Sequence, residues 1–257
     1  MNLSRQISLN GEPLTGVHPS IVIRNIDPGV ARENVQSAIR MGGYGQRITA
    51  ANWEPREVTV TYAIDIPKKK LADRRAVFDK VCEWARQKGW LTVNFMPLRR
   101  LYVDRTEITT MGDPFEWLTE FTITFKAYNV PFWQDEVPVT ATFTSVSSGD
   151  KSITVRGNAP GVLDVSFKNT SGSACANVAF TVGSSTLTFT GINLANNATL
   201  EITHGTDGLL RAMVGTTSVY SSMTGGDDLY TKPGANTLTL SASKSGTLTL
   251  TSYGRYV

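Results

Sequence analysis

The feature that most constrains this chain is a sharp change in composition just after Pro131-Phe132-Trp133. Residues 1–136 hold 18 of the 25 Lys and Arg residues, 16 of the 22 Asp and Glu residues and all five tryptophans. Residues 137–257 are instead rich in Thr, Ser and Gly. Because two compositions this different indicate two folding units with different roles, we predict domains at 1–136 and 137–257.

The first domain combines strand-like alternation with one helical stretch, which predicts an α+β fold. Asn10-Gly11 predicts a two-residue hairpin turn, because both positions accept a positive φ. An apolar stripe along residues 67–88 predicts a helix packed on a sheet, and Gly89 is a natural end for it. Residues 68–70 are lysines at the positive end of the helix dipole, so the helix begins later, near Asp73, or the lysines face an acidic partner. Solvated lysines are the favoured interpretation. Strands are predicted at residues 6–9, 21–23, 57–64, 90–95, 101–103 and 117–125.

The second domain shows short alternating segments separated by turn signals, which is typical of a β-sandwich of about a hundred residues. Its apolar residues are mostly aliphatic, so we expect a core of Leu, Val and Ile. Turns are predicted at residues 183–185, 196–197, 233–236 and 244–246. Strands are predicted at residues 162–167, 176–182, 186–189, 199–202, 237–240 and 247–250.

Composition excludes several classes of function. A formal net charge of +3 without a basic stripe argues against a specific nucleic-acid binder. Two cysteines, Cys82 and Cys175, argue against a disulfide framework and exclude a zinc site with paired cysteines. Residues 1–6 lack an apolar signal core, and no run of about 18 apolar residues occurs. We therefore expect a protein made in the cytosol, without membrane insertion.

Chemistry-bearing motifs are scarce. The only histidines are His18 and His204, and no nucleophile elbow or zinc-protease motif is present. Cys82 lies on the apolar helix face, which favours an inert core thiol. Asp227 and Asp228 are too few carboxylates for a calcium site, so a turn is favoured. We predict no catalytic residue, metal or cofactor.

A sugar site in the second domain is a weaker hypothesis. The domain has no tryptophan on which a sugar ring could stack. His204 and Tyr220 are the candidate sugar contacts, and for His204 a surface turn position is the favoured alternative.

At the domain boundary the sequence resembles a known family. Residues 121–133 end a long strand, turn and close with Pro131-Phe132-Trp133, which resembles the end of the first domain in distal tail (Dit) proteins of long-tailed bacteriophages. The early Asn10-Gly11 hairpin, the strand-to-helix passage after Arg56 and the turn at 233–236 agree with this. Val130 departs from the pattern, because family members often carry Asp there.

The resemblance implies a tail-tube-like first domain and a galectin-like second domain. It also implies six copies closed into a ring that joins the tail tube protein to the tail tip, and contacts with a receptor-binding protein. The location implied is the phage tail tip in the virion, after assembly in the bacterial cytoplasm.

A ring needs contacts between unlike surfaces, and the long segment 27–52 is the predicted oligomer arm. A mobile surface loop is the alternative interpretation of this segment. The candidate arm residues are Ile39, Met41, Tyr44, Ile48 and Trp53. The leading hypothesis is a structural tail subunit. A module that binds cell-wall sugars through the second domain is the alternative, and a hydrolase is the least supported.

Overall fold

A computed structural model describes residues 5–39, 46–67, 69–109, 120–225 and 228–257. The fold is mainly β, with one long helix and one short one in the described residues. The chain divides into two compact units, Met1–Trp133 with Val257 and Gln134–Tyr256. This division lies three residues before the predicted boundary.

The first unit is α+β. Its helices are α1 (Leu14–Val17) and α2 (Leu71–Ala85). Its strands are β1 (Ile7–Leu9), β2 (Glu12–Pro13), β3 (Ile21–Asp27), β4 (Glu33–Ile39), β5 (Gln46–Trp53), β6 (Arg56–Ile64), β7 (Gly89–Val93), β8 (Arg99–Val103), β9 (Arg105–Thr109) and β10 (Glu120–Ala127). β11 (Trp133–Asp135) follows at the division between the units.

Two sheets and a separate hairpin organise this unit. One sheet contains the neighbouring strands β2-β1-β7-β8, the second has the order β3-β6-β10-β9, and β4 pairs with β5. The apolar face of the second sheet receives α2, whose Phe78 and Trp84 rings lie 5.2 and 5.9 Å from those of Phe121 and Phe125. Alternation along β6 and β10 directs one face to this core and leaves hydroxyl-bearing residues on the other.

The helix begins later than its apolar stripe alone suggested. It starts at Leu71, so Lys69 and Lys70 precede its first turn, and Asp73 lies within that turn. An acidic residue there complements the helix dipole. Lys68 and residues 117–119 of the predicted strand lie outside the described residues.

The predicted Asn10-Gly11 turn is confirmed, with φ of +53° and +84°. Asn10 also fastens the hairpin to β7. Its Oδ1 accepts a hydrogen bond from the Trp90 amide at 3.0 Å, and its Nδ2 donates to the Lys88 carbonyl at 3.1 Å. A Cβ at Gly89 would overlap the Asn10 side chain, so a glycine is required there.

The second unit is all-β apart from one 3-10 turn, Tyr220–Ser222, in the described residues. Its strands are β12 (Val139–Val155), β13 (Gly161–Val162), β14 (Asp164–Asn169), β15 (Cys175–Val182), β16 (Ser185–Leu194), β17 (Thr199–His204), β18 (Leu210–Val214), β19 (Thr217–Ser218), β20 (Met223–Thr224), β21 (Tyr230–Thr231), β22 (Gly234–Ser252) and β23 (Arg255–Tyr256). The core is mainly Leu, Val and Ile, as the composition predicted, and it also contains Phe167, Phe180 and Phe189.

One long strand joins the two halves of this sandwich. The order is β19-β18-β17-β14-β22-β15-β16-β20, and β12 pairs with β22. The first half of β22 pairs with β15 and its second half with β14. The predicted turn at 244–246 is therefore wrong, because these residues lie inside β22. Gly246 lies where β22 changes its partner from β15 to β14. A Cβ there would overlap the Lys168 carbonyl oxygen and approach the Phe167 ring.

Residues near the beginning and the end of the second unit lie side by side. Val139 pairs with Ser252 at the ends of β12 and β22. The Tyr256 hydroxyl donates to Asp135 Oδ1 at 3.0 Å, and the Asp135 amide donates to the Gly254 carbonyl at 2.9 Å. Hydrogen bonds thus close the first and last residues of the unit against each other.

Asn169 links the loop after β14 to the end of β16 from a fully buried position. Its Nδ2 donates to the carbonyls of Ser173 at 2.7 Å and Leu194 at 2.8 Å, and its Oδ1 accepts from the Ser171 amide and hydroxyl. The side-chain amide is therefore fully engaged.

Candidate functional site

The predicted arm segment contains a two-stranded antiparallel hairpin, β4–β5. Among the described residues, neither strand pairs with any other strand. All side chains described from Glu33 to Gln36 are exposed. A two-stranded hairpin is marginally stable alone in water. The hairpin therefore needs a firm base or a partner surface.

Strand register gives this hairpin two unlike sides. Glu33 pairs with Trp53, Val35 with Ala51 and Ser37 with Ile48, so these positions alternate with Asn34, Gln36 and Asn52. Of the candidate residues, Ile39 ends β4, Ile48 lies within β5 and Trp53 ends β5. Val35, which the register places on the same side as Trp53, is 43% exposed. Met41 and Tyr44 lie outside the described residues.

The Pro131-Phe132-Trp133 motif anchors the base of the hairpin. The Phe132 ring meets the Trp53 ring edge-on, with centroids 4.9 Å apart and planes at 75°. Trp133 is buried, and its Nε1 donates to the Pro28 carbonyl at 3.3 Å. The motif therefore holds the chain on both sides of the hairpin, at Pro28 before β4 and at Trp53 where β5 ends.

Asp104 fixes the turn that leads into this motif. Its Oδ2 accepts hydrogen bonds from the amides of Tyr128 at 2.8 Å and Asn129 at 3.2 Å. Its Oδ1 accepts from Asn129 Nδ2 at 2.9 Å. The three bonds orient residues 128–129 and so direct Phe132 and Trp133 toward the hairpin base.

Gly29 and Arg56 lie beside this base. Gly29 has a φ of +62°, and a Cβ there would overlap the Glu57 carbonyl oxygen. The Arg56 side chain is fully buried, and this burial lowers the pKa of its guanidinium to about 10. Its three nitrogens find no hydrogen-bond acceptor in the described part of the chain.

The sheet β3-β6-β10-β9 presents hydroxyl groups on the face opposite α2. Thr59 pairs with Thr124 and Thr61 with Thr122, and all four are half-exposed. Lys126 lies 2.9 Å from Glu107 and 3.0 Å from Glu57 on this face. Hydrogen bonds to Glu107 and Glu57 raise the pKa of Lys126. The face is hydrophilic, and charges of both signs are paired on it.

The candidate sugar contacts lie in different settings. The His204 side chain is 5% exposed, with Nδ1 2.7 Å from Asp164 Oδ1 and Nε2 3.3 Å from Asp228 Oδ1. In a catalytic triad one ring nitrogen faces a nucleophile, whereas here both face carboxylates. Tyr220 is 54% exposed on the 3-10 turn. The sugar assignment of these two residues stays a prediction.

The described residues contain no group of three or more His, Cys, Asp or Glu side chains arranged to hold a metal ion. None of the helices in the described ranges has the length and hydropathy needed to cross a bilayer.

This chain is similar to known proteins in its fold but not in its sequence. No family model and no curated protein matches this chain. The crystal structure of SPP1 Dit, described as a paradigm of the hub adsorption apparatus in phages infecting Gram-positive bacteria, is similar with a TM-score of 0.67. Identity is 16%, over 97% of this chain and 98% of that chain.

The chain has the fold of a phage distal tail protein. Two structures of the phage P2 baseplate in its activated conformation, with Ca and with Sr, share 10% identity with it. They cover 97% of this chain and 98% and 97% of theirs, at TM-scores of 0.47 and 0.46. The assignment of the distal tail fold therefore rests on the SPP1 protein.

Within this distal tail fold, sequence reasoning located the closing motif but missed what holds it. Asp104 precedes Tyr128 by 24 residues, and no local pattern pairs the two. The strand signal in β4 and β5 was also missed, because Ala, Asn, Gln and Ser interrupt the apolar alternation. The Asx-type pairing of Asp104 with Asn129 has a weak signal, namely an Asp at the end of a strand before a polar turn.

Proposed function

We propose that this chain is a structural subunit of the distal end of a phage tail, where six copies form a ring that joins the tail tube to the tail tip or baseplate. The observation that carries this proposal is the similarity to SPP1 Dit along nearly the full length of both chains. The boundary motif supports it independently, because the resemblance at residues 121–133 involves the residues that anchor the hairpin.

The hairpin β4–β5 is the proposed arm between neighbouring copies. It carries the candidate residues Ile39, Met41, Tyr44, Ile48 and Trp53. A ring requires that one surface of each copy meet a different surface of the next, and a projecting ribbon suits this arrangement. Coverage by a neighbour would also offset the marginal stability of an isolated hairpin.

The sheet β3-β6-β10-β9 is a second proposed ring element. β3 and β9 stand at its two ends, so each copy offers two edges within the described residues. Edge strands are templates for pairing with another chain. Pairing β3 of one copy with β9 of the next would continue the sheet around a ring, with its threonine-rich face toward the lumen.

The proposed partners follow from this position. One side of the ring would contact the tail tube protein and the other the tail tip protein, while the second unit would contact peripheral components such as a receptor-binding protein. The proposed location is the tail tip of the virion, after assembly in the host cytoplasm. A structural role needs no catalytic residue or cofactor.

The direct test is the mass and symmetry of the assembled protein. We expect mass photometry to detect particles of six 28.0-kDa subunits, and electron microscopy to show six-fold rings. Because a partner can be needed for assembly, the protein is also mixed with its tail tube protein. A monomer under both conditions, in folded protein, would exclude the ring.

Carbohydrate binding by the second unit is the second proposal. The observation in its favour is the exposed ring of Tyr220, since aromatic faces stack on sugars. Binding to bacterial wall polysaccharides that Tyr220→Ala abolishes would support it. If no wall polysaccharide on the array bound the protein, carbohydrate binding would be rejected and the structural role would remain the one proposed function.

A further inference from the structure

The strand β12 is the long edge of the second unit. It spans 17 residues, and among the described residues it pairs only with β22, on one side. The other two ends of the strand order are β19 and β20, with two residues each. An edge strand presents unpaired amides and carbonyls along its free side.

The first half of this edge lacks the usual protection against pairing. Proteins guard edges with charges, prolines, bulges or very short strands. Residues 139–149 contain no charged residue and no proline. Charges appear only at Asp150 and Lys151, after the irregular register near Ser145, whose φ is +57°. Of these two, Lys151 comes near the first half of the strand, with its Nζ 5.9 Å from the centroid of the Phe143 ring. The stretch that has no charge or irregularity of its own is therefore 139–144.

The hydrophobic core is also open along this stretch. Val139, Ala141 and Phe143 pack against the core but stay half-exposed, whereas Thr140 and Thr142 are exposed on the other face. An added strand would continue both faces, placing apolar groups over the core and hydroxyl groups outside.

The side of β12 that is already occupied shows which chemistry fits it. Phe143 pairs with Leu248 and Ala141 with Leu250. Thr142 Oγ1 lies 3.3 Å from Thr249 Oγ1. The strand thus accepts an uncharged partner that alternates apolar and hydroxyl-bearing residues.

We propose that residues 139–144 form a strand-addition site for an extended, uncharged segment of another protein, with alternating apolar and hydroxyl-bearing side chains. Main-chain hydrogen bonds would supply affinity and the alternation would supply specificity. Six residues correspond to a contact roughly 20 Å long. The site is independent of the ring contacts, which are assigned to the first unit.

The test uses the full-length protein and a labelled synthetic peptide that copies residues 245–252, the segment already paired with this strand. We expect saturable binding by fluorescence polarisation and slower amide hydrogen exchange confined to residues 139–144. A peptide with Asp in place of both leucines should bind at least about tenfold more weakly. Equal binding of the two peptides, or protection elsewhere, would overturn the proposal.

Variants of the protein locate the site. Thr142→Lys and Thr140→Lys place a charge on the edge and should each weaken peptide binding by about tenfold or more. Thr154→Lys is the matched control, because Thr154 is exposed on the same strand beyond the irregular register. Melting curves confirm folding of each variant.

Sedimentation over a range of concentrations distinguishes a second copy as the occupant. Self-association that Thr142→Lys removes and Thr154→Lys keeps would overturn the assignment to another protein. Failure of peptide binding in intact six-fold rings would reject this site and leave the ring proposal untouched.

Discussion

Trp53 and Phe132 meet edge-on with ring centroids 4.9 Å apart, although 79 residues separate them in the chain. Trp53 ends the hairpin β4–β5, and Phe132 belongs to the boundary motif. Edge-on aromatic pairs contribute about 0.5–1.5 kcal/mol beyond the area they bury. The pair couples the direction of the hairpin to the end of the first unit.

Substitution Trp53→Ala is expected to abolish ring assembly while lowering the free energy of unfolding by about 2–3 kcal/mol, from the lost ring pair and the lost buried area. The reason is that Trp53 is half-buried and fixes the hairpin rather than the core. Analytical ultracentrifugation and denaturant unfolding measure the two effects. Trp90→Ala is the matched control, because Trp90 is also half-buried and meets Tyr102 edge-on at 5.2 Å, away from the hairpin. Equal loss of assembly in both variants would contradict a specific role for the hairpin base.

Substitution Asp104→Ala should destabilise the first unit by about 2 kcal/mol, because two amides and one side-chain amide lose their acceptor. Urea unfolding monitored by tryptophan fluorescence reports it, since all five tryptophans lie in residues 1–136. Asp79→Ala, on the exposed side of α2, should change stability by less than about 0.5 kcal/mol. A loss equally small for Asp104→Ala would show that the turn holds without it.

Substitution Asn169→Asp should destabilise the second unit by more than about 2 kcal/mol, because a carboxylate would face the carbonyls of Ser173 and Leu194. Thermal unfolding followed by circular dichroism measures the loss. Asn193→Asp places the same change on an exposed residue and should be nearly neutral. An unchanged melting temperature in Asn169→Asp would mean that the loops do not depend on this amide.

Burial raises the pKa of the Cys82 thiol, so little thiolate is present at pH 8. We expect slow alkylation of native protein by iodoacetamide at pH 8, and faster alkylation as the pH rises toward that pKa. Intact-mass spectrometry follows the reaction, and protein in urea gives the unhindered rate. Cys82→Ser should leave the native protein unlabelled, because Cys175 is fully buried. Labelling at pH 8 as fast as in urea would contradict the effect of burial.

The thermal stability of alanine variants distinguishes the roles of the two candidate sugar contacts, His204 and Tyr220. His204→Ala removes a ring that lies between Asp164 and Asp228, so it should destabilise the second unit by about 2 kcal/mol or more. Tyr220→Ala truncates an exposed ring and should leave the melting temperature nearly unchanged. Glycan binding lost in Tyr220→Ala would therefore report a contact, whereas binding lost in His204→Ala alone would report unfolding.

Local patterns predicted much of the fold. Alternation located β6, β10, β15 and β17 to within a few residues where they are described, and the Asn-Gly signal placed the first turn. These features depend on neighbours in sequence, so they are readable without the fold.

Features that depend on distant contacts were not predictable in the same way. Gly246 was predicted to be a turn residue, but it lies within β22, where the absence of a side chain lets the strand pack beside Phe167. The strand β12 was missed because its hydroxyl-rich sequence reads as a linker until β22 pairs with it. The site was predictable as a segment, 27–52, while its anchoring by Phe132 and Trp133 required the tertiary structure.

The pairing of Val139 with Ser252 and the bond between Asp135 and Tyr256 have an evolutionary consequence. A module whose first and last residues lie side by side can be replaced by another module without rerouting the remaining chain. Recombination near Asp135 and Tyr256 would exchange the second unit as a whole and leave the sequence of the first unit unchanged. Diversification of such a protein is therefore expected to proceed faster beyond Asp135 than before it.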